Sequence, residues 1–174
     1  NKNNNRDYDI ILIKDELLNS EEYKLNIIDE KIKINFSDKP GLSYALNSLF
    51  QLLINAKIEG SNFISNLQIH DMPRFKYRGI HLDISRNYYG PRKIKQLLDF
   101  MHYFKLNKFH LNITDDEGWR IEIPGLPELT EVGSKRGYTD DERDHLNPAY
   151  GSGSKINQLY GSGYLERGEF IDII

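Results

Sequence analysis

Charged side chains follow two apolar segments of the chain, and their types could carry out chemistry. Arg86 comes directly after YRGIHLDIS, and Asp115, Asp116 and Glu117 come directly after KFHLNIT. A guanidinium presents five donors in a fixed fork, which suits two adjacent hydroxyl groups or a carboxylate. An aspartate beside it can accept a hydrogen bond from a hydroxyl or hold an imidazole in orientation. Arg86 and Asp115 therefore form a candidate binding site, although a structural ion pair explains the same spacing equally well.

The two apolar segments must lie side by side for these charges to meet. In YRGIHLDIS, apolar and polar residues alternate with the period of two that is typical of a strand. The stretch between the segments, YGPRKIKQLLDFMHYFKLN, has the apolar spacing of a helix, and its predicted buried stripe consists of Ile94, Leu97, Leu98 and Met101. A strand–helix–strand unit favours parallel pairing, and ligands bind at the carboxyl ends of parallel strands. We therefore expect Arg86 and Asp115 to lie together at the edge of the sheet formed by these carboxyl ends, which we call the rim.

Residues 1–72 have a different pattern, which predicts a small α+β domain. YDIILIKDE is predicted to be a strand, and YKLNIIDEKIKINFSD a hairpin that turns near Asp29 and Glu30. Asp38 is a suitable N-cap, and Pro40 a suitable first-turn residue, for the helix that follows. FISNLQIHD is predicted to be another strand. The apolar face of the helix is predicted to consist of Leu42, Ala45, Leu46, Leu49 and Leu53.

The chain from Pro124 to about Gly163 is rich in Pro, Gly, Asp and Tyr, and we expect one long loop there. A loop of this length is usually functional or mobile. Its acids are expected to be solvated; they are Asp140, Asp141, Glu142 and Asp144. The final EFIDII predicts the opening of a helix that the chain leaves unfinished.

Other candidate functional residues have weaker support. The acids at 115–117 lack the ligand spacing of a calcium loop, so we expect no metal there. Asn112 follows His110 where a metal-dependent barrel hydrolase would often have His-x-His. His81 and His102 are expected to be half-buried packing residues, and Trp119 is expected to pack rather than to stack on a sugar ring.

Composition excludes several classes of function. The hydrophobic content of 39% supports a packed core, and the net charge of −3 argues against a nucleic-acid binder. There is no run of 18 apolar residues, so we expect no membrane span. The absence of cysteine excludes disulfides, thiol catalysis and zinc–thiolate sites, and the start NKNNNRDYD lacks the apolar core of a signal peptide.

The linked motifs PRFKYRGIHLDISR and HLNITDDEGWR resemble the opening of the catalytic barrel of family-20 glycoside hydrolases, the β-N-acetylhexosaminidases. The preceding stretch, from GLSYALNSLFQLL to IHDMPRF, is similar to the small α+β domain that comes before that barrel. The resemblance thus implies an α+β auxiliary domain at 1–72. At 73–174 it implies the first units of an α/β fold, the (β/α)8 TIM barrel.

The resemblance implies retaining hydrolysis of terminal β-linked N-acetylhexosamine from a glycan or amino-sugar substrate. The acetamido oxygen of the substrate attacks the anomeric carbon and forms an oxazolinium intermediate, with no metal and no cofactor. Arg86 would hold the outer hydroxyls of the sugar. Asp115 would support the acid/base residue through a histidine in a hydrogen-bond chain. Arg78 would be a buried structural arginine, and Asp116 and Trp119 would shape the loop.

The same resemblance implies that the active site extends past this chain. A (β/α)8 barrel needs about 200 residues or more, and about a hundred follow Pro73. The histidine loop, the catalytic Asp-Glu pair and the aromatic sugar pocket would lie beyond Ile174, so we expect the 174 residues alone to be inactive. Asn87 and Asn112 depart from many members of the family. An extracellular, cell-surface or periplasmic location is also implied.

Three alternatives stay open. A non-catalytic carbohydrate-binding module would bind N-acetylated sugars without turnover, and a metal-dependent barrel hydrolase would lose activity with a chelator. Release of a disaccharide, as in lacto-N-biosidases, is a third possibility within the same family. The sequence leaves glycan specificity and the oligomeric state open.

Overall fold

The computed structural model describes residues 10–29, 31–149, 151–156 and 161–174. The chain divides into two compact units, Asn1–Lys76 and Tyr77–Ile174. The division lies near the domain boundary predicted between residues 72 and 73. Each unit contains both helices and strands, which confirms the predicted mixture of α and β structure.

The N-terminal unit is built on a four-stranded sheet. Its strands are β1 (Ile10–Lys14), β2 (Tyr23–Ile28), β3 (Lys31–Phe36) and β4 (Leu67–Asp71), in the order β1–β3–β2–β4. The predicted hairpin is confirmed, because β2 and β3 are antiparallel and Asp29 adopts a left-handed turn conformation with φ of 49°. The strand predicted over FISNLQIHD begins only at Leu67, because Ser61 and Phe63 form a local turn before it.

One helix, α1 (Lys39–Ile58), covers this sheet. Asp38 is its N-cap, as predicted, and accepts a hydrogen bond from the Gly41 amide at 2.9 Å. The predicted burial of Leu46 and Leu53 is wrong, since they are 43% and 51% exposed. The face toward the sheet runs through Ala45 and Leu49, and a shift of one residue rotates a side chain by about 100° around the helix. The buried core consists of Tyr23, Leu25, Ile27, Ile34, Tyr44, Ala45 and Leu49.

The C-terminal unit begins with the predicted strand–helix–strand arrangement. Its elements are β5 (Gly79–Asp83), α2 (Gly90–Tyr103) and β6 (Lys108–Asn112). The parallel pairing of β5 and β6 is confirmed, with Asp83 opposite Asn112 at the carboxyl ends. Ile94 and Met101 of the predicted stripe are buried, whereas Leu97 and Leu98 are only half-buried, because this sheet has two strands and is narrower than the stripe.

The acids after β6 lie in a tight hairpin and not at the end of a longer strand. The hairpin pairs β7 (Thr114–Asp115) with β8 (Gly118–Trp119), so Asp116 and Glu117 form its turn. Thr114, predicted to end the second strand, belongs to this hairpin. The hairpin therefore brings the carboxylates of Asp115 and Glu117 to the same guanidinium, that of Arg86.

The prediction of one long loop after Pro124 is wrong. The segment contains the short helix α3 (Glu128–Glu131) and a bridge between Arg136 and Leu146. Leu165 pairs with Ile121, and the predicted terminal helix follows as α4 (Arg167–Ile171). Leu165 packs with Ile84 and Ile94 in the core of this unit, and that contact ties the returning chain to β5 and α2.

Candidate functional site

Arg86 lies in a charged cluster at the carboxyl ends of β5 and β6. Its Nη2 is 2.8 Å from Asp115 Oδ2 and 3.3 Å from Glu117 Oε2, and its Nη1 donates to Asp83 Oδ2. The amides of Ser85 and Arg86 donate to Asp83 Oδ1 at 2.9 and 3.1 Å, so Asp83 holds the turn that directs the guanidinium. The structure thus brings Arg86 and Asp115 together on one rim. Their roles stay predictions.

Asp115 is oriented by its own hairpin and by β6. Its Oδ1 accepts from the Asp116 amide at 2.9 Å, and its Oδ2 accepts from Asn112 Nδ2 at 3.4 Å. The amide hydrogen bond, followed by the charge of Arg86, lowers the pKa of Asp115 below its ordinary value. Its side chain is 34% exposed and that of Arg86 is 46% exposed, so a ligand can reach both.

Asp83 is the partner that the sequence analysis did not single out. Burial alone would raise the pKa of Asp83, but the hydrogen bonds from Arg86 outweigh burial and lower it. The hydrogen bond to Asp83 is also the main cause that raises the pKa of Arg86. The rim therefore carries fixed donors beside fixed ionised acceptors. Such a set is suited to neighbouring hydroxyl groups, each of which accepts one hydrogen bond and donates another.

A second arginine, Arg120, supports this rim from inside the unit. Its side chain is fully buried, and its Nη2 and Nη1 donate to the carbonyls of Ser85 and Ser134 at 2.8 and 2.6 Å. Its Nε donates to the Ile84 carbonyl at 3.1 Å, and Nη1 also donates to Gly163. The backbone that carries Arg86 is thus tied to two later segments of the chain. Burial, with the charge of a neighbouring arginine, lowers the pKa of Arg120 to about 10, so it is charged at neutral pH.

Gly118 is required by the same arrangement. A Cβ at this position would lie 2.5 Å from the Ser85 carbonyl oxygen and 2.9 Å from the Arg120 guanidinium. The order Gly-Trp-Arg after the acids therefore places a glycine where the buried guanidinium crosses the backbone. The only hint in the sequence was an arginine set between Trp119 and Ile121, where apolar neighbours indicate burial.

Trp119 and Arg78 have roles in packing and in holding a loop. Trp119 is half-buried and its indole N–H donates to the Ile121 carbonyl at 2.7 Å, which confirms that it packs. Arg78 was predicted to be buried, and it is half-buried. Its Nε donates to the Lys105 carbonyl at 2.9 Å, so it holds the loop between α2 and β6.

The prediction for the two histidines is wrong, because His81 and His102 are exposed. Strand alternation puts His81 on the face of β5 opposite the core residues Leu82 and Ile84, where its ring lies 4.6 Å from that of His110. His102 follows the buried Met101 and therefore points away from the core. The acids at 140–142 and at 144 are exposed, as predicted.

Within the described ranges, no group of three or more His, Asp and Glu side chains is arranged to hold a metal ion. Of the helices in that same part of the chain, none is long and apolar enough to cross a membrane.

Two family descriptions match the sequence of this chain. "Glycosyl hydrolase family 20, catalytic domain" matches residues 75–166. "Glycosyl hydrolase family 20, domain 2" matches residues 1–72. The first alone covers more than half of the chain, and it includes every residue of the Arg86 cluster.

Similar proteins are found among curated sequences and among solved structures. An N,N'-diacetylchitobiase of Vibrio harveyi is 42% identical over 159 residues, which are 91% of this chain and 18% of that protein. The β-hexosaminidase subunit alpha of Rattus norvegicus is 39% identical over 114 residues, 66% of this chain and 21% of that protein. The GH20 exo-β-N-acetylglucosaminidase of Vibrio harveyi, solved with N-acetylglucosamine, has a TM-score of 0.76 at 34% identity and covers 95% of this chain and 25% of its own.

A β-N-acetylhexosaminidase of Bacteroides fragilis gives a TM-score of 0.75 at 30% identity, over 95% of this chain and 30% of its own. The chain spans about a fifth of the length of the curated relatives it matches, 18% for the Vibrio harveyi chitobiase. The fold, the order of the motifs and both family descriptions lead to one conclusion: the chain belongs to glycosyl hydrolase family 20.

Proposed function

We propose that the full-length protein carrying this chain is a β-N-acetylhexosaminidase that removes terminal β-linked N-acetylhexosamine from glycans with retention. The observation that carries the proposal is the contact of 2.8 Å between Arg86 and Asp115 at the carboxyl ends of two parallel strands. Ligands bind at this end of parallel α/β sheets and barrels. The relatives named β-hexosaminidase and N,N'-diacetylchitobiase support the same activity class.

The proposal assigns a role to each member of the charged cluster. Arg86 donates to the outer hydroxyls of the terminal sugar with the N–H groups that its carboxylate partners leave available. Asp115 serves as a supporting acceptor, which orients a histidine beside the acid/base residue. Asp83 positions Arg86 and does not contact the sugar. No cofactor is part of this scheme, since the acetamide of the substrate supplies the nucleophile.

The proposal also includes the architecture. β5 and β6 are the first two strands of a (β/α)8 barrel, with α2 as the first crossover helix. Residues 1–72 form an auxiliary α+β domain, and residues 73–174 contribute the first units of the catalytic domain. We further propose an extracellular, cell-surface or periplasmic location, where polymeric glycans are accessible.

The test is hydrolysis of p-nitrophenyl N-acetyl-β-glucosaminide and its galacto epimer by the full-length protein. We expect turnover with a β-configured first product, observed by NMR, and no loss of rate with a chelator. Arg86→Ala should lower kcat/KM by about a hundredfold, the value of two charge-assisted hydrogen bonds, whereas Lys93→Ala on the exposed side of α2 should not. Binding of N-acetylglucosamine without turnover would contradict the proposal and favour a carbohydrate-binding module instead.

A further inference from the structure

A pocket of about 410 Å³ opens beside the Arg86 cluster within the C-terminal unit. Its wall includes Arg86 and Glu117, and also Arg136, which comes from the segment after α3. Leu146 and Pro148 add apolar surface to the same wall. The pocket thus extends from the carboxyl ends of β5 and β6, where Arg86 lies, to residues of the segment after α3.

Arg136 is held firmly but only partly hydrogen-bonded. Its residue is 3% exposed, its amide donates to Ser162 Oγ at 2.9 Å, and its Nη1 donates to the Asn147 carbonyl at 2.8 Å. Its Nε and Nη2 are buried and have no hydrogen-bond partner among the residues that the structure describes. These two N–H groups lie on the same edge of the guanidinium and form a donor fork. Unpaired buried donors are unfavourable, so a partner is expected to complete them.

Glu117 has a buried acceptor atom that lacks a hydrogen-bond donor among the described residues. Its Oε2 is buried and accepts no hydrogen bond from the described part of the chain, although it forms an ion pair with Arg86 Nη2 at 3.3 Å. The charge of Glu117 acts on Arg136 as well as on Arg86. The pocket therefore offers two donors of Arg136 and one acceptor of Glu117 that make no hydrogen bond among the described residues.

The chemistry of the wall selects the kind of ligand. Asp116 and Glu142 also line the pocket, so carboxylates outnumber guanidiniums and an anionic ligand is disfavoured. A neutral group that both accepts and donates hydrogen bonds can accept from Arg136 Nε and Nη2 and donate to Glu117 Oε2 at the same time. A sugar hydroxyl has this property, and its ring presents C–H groups to apolar surface such as that of Leu146.

We propose that Arg136 and Glu117 bind a hydroxyl group of the substrate sugar next to the hydroxyls bound by Arg86, and so determine which sugar is accepted. The proposal rests on the proposed function and adds a pair of specificity-determining residues to it. Arg136 donates to the hydroxyl oxygen through Nε and Nη2. The hydroxyl group in turn donates a hydrogen bond to Glu117 Oε2, and its proton stays on the hydroxyl oxygen.

The experiment measures kcat/KM of the full-length protein for p-nitrophenyl N-acetyl-β-glucosaminide and for its 3-deoxy, 4-deoxy and 6-deoxy analogues. We expect wild type to discriminate by about tenfold or more, the effect of one hydrogen bond to a charged group, against each analogue that lacks a hydroxyl bound by Arg86 or by the pair Arg136 and Glu117. Arg136→Met should remove the discrimination against one analogue, the one without the hydroxyl bound by that pair, while leaving the other two ratios unchanged. Arg143→Met changes an exposed arginine of the same segment and should leave all three analogue-to-parent ratios as in wild type.

A purely structural role for Arg136 would lower kcat/KM by one common factor for all four substrates, and that result would overturn the proposal. Equal rates for Arg136→Met and wild type would overturn it too. If Arg136→Met does not fold, Glu117→Gln is the test variant, because Glu117 lies in the turn between β7 and β8 and its substitution should cause the same selective loss.

The same experiments distinguish failure of the proposed hydrolase activity from failure of the proposed sugar pocket. If wild type turns over none of the glycosides, the proposed hydrolase activity fails, and the pocket is then tested by titrating wild type with N-acetylglucosamine. Binding that Arg136→Met abolishes and Arg143→Met retains would support the pocket as a sugar site. Absence of binding to wild type would overturn it.

Discussion

The two units of this chain are stabilised in different ways. In the N-terminal unit, the fully buried side chains are apolar and lie between one sheet and one helix, as Leu25 and Ile34 do. In the C-terminal unit, the largest fully buried side chain is Arg120, which donates to backbone carbonyls from three separate segments. Among the described residues, its apolar cluster has three buried members, Ile84, Ile94 and Leu165, and Met101 is buried outside that cluster.

The difference reflects what each unit must hold in place. A regular sheet satisfies its own backbone groups, so apolar burial is enough to complete the N-terminal unit. The C-terminal unit brings irregular backbone around the rim, and its carbonyls need donors that no neighbouring strand supplies. A buried guanidinium offers several donors in one plane and joins those segments to the turn that carries Arg86.

Removal of the buried guanidinium should have the largest effect on stability. Arg120→Met keeps apolar bulk but leaves the carbonyls of Ser85 and Ser134 without their donor. We expect the free energy of unfolding of the C-terminal unit to fall by about 3 to 5 kcal/mol. Hydrogen exchange of the full-length protein would measure it unit by unit. Arg143→Met, with a side chain 83% exposed, should change it by less than about 0.5 kcal/mol. An unchanged free energy of unfolding for Arg120→Met would contradict the claim that a buried guanidinium stabilises the C-terminal unit.

A cavity in the N-terminal core should have the next largest effect. Leu25→Ala removes a fully buried side chain from β2, and we expect the free energy of unfolding of that unit to fall by about 3 kcal/mol. Leu17→Ala, at a position 95% exposed, is the matched control and should be nearly neutral. The same hydrogen-exchange measurement applies. A larger loss in the C-terminal unit than in the N-terminal unit would contradict the assignment of Leu25 to the N-terminal core.

Among the described residues of the N-terminal unit, one charged side chain is buried, that of Glu22, and its contribution to stability should depend on pH. The hydrogen bond with His70, followed by that from the Asn19 amide, lowers the pKa of Glu22 from 4.5 to about 2. Because the folded pKa is the lower one, this stabilisation is complete above about pH 4.5 and is lost as the pH falls toward about 2. His70 is 57% exposed, so we expect a smaller loss than that from Leu25→Ala.

Denaturant unfolding between pH 2 and pH 7 would measure this dependence, with Glu22→Gln as the comparison. The Gln variant cannot ionise, so the slope between pH 2 and pH 4.5 should become shallower for the N-terminal unit. An identical slope in both proteins would show that Glu22 does not contribute to the pH dependence.

Loss of the helix cap should have the smallest effect. Asp38→Ala removes the acceptor of the Gly41 amide and of Ser20 Oγ, and we expect a loss of about 1 kcal/mol in the N-terminal unit. Asp38→Asn keeps a side-chain oxygen at the cap and should recover most of it. The midpoints of thermal unfolding of Asp38→Ala and Asp38→Asn, compared with that of wild type, would measure both effects. If Asn behaved like Ala, the charge and not the cap would be the source of the stability.

The sequence by itself determined the features that follow from periodicity and local chemistry. Alternation identified the hairpin of β2 and β3, the cap at Asp38 marked the start of α1, and the strand–helix–strand order implied that Arg86 and Asp115 would meet. Each of these depends on residues that are close in sequence or on a pairing rule with one favoured outcome. The motifs also carried the family resemblance.

Only the tertiary structure decided which polar residues the fold would bury. Arg120 and Arg136 are buried and Arg143 is exposed, and apart from the apolar neighbours of Arg120 the sequence did not distinguish them. The partners of the two buried arginines are carbonyls distant in sequence. The same limit explains the wrong prediction for Leu46, since helical spacing gives an apolar stripe but not its rotation toward the sheet. A buried hydrogen bond exists only after both segments are in place, so it leaves no periodic mark in the sequence.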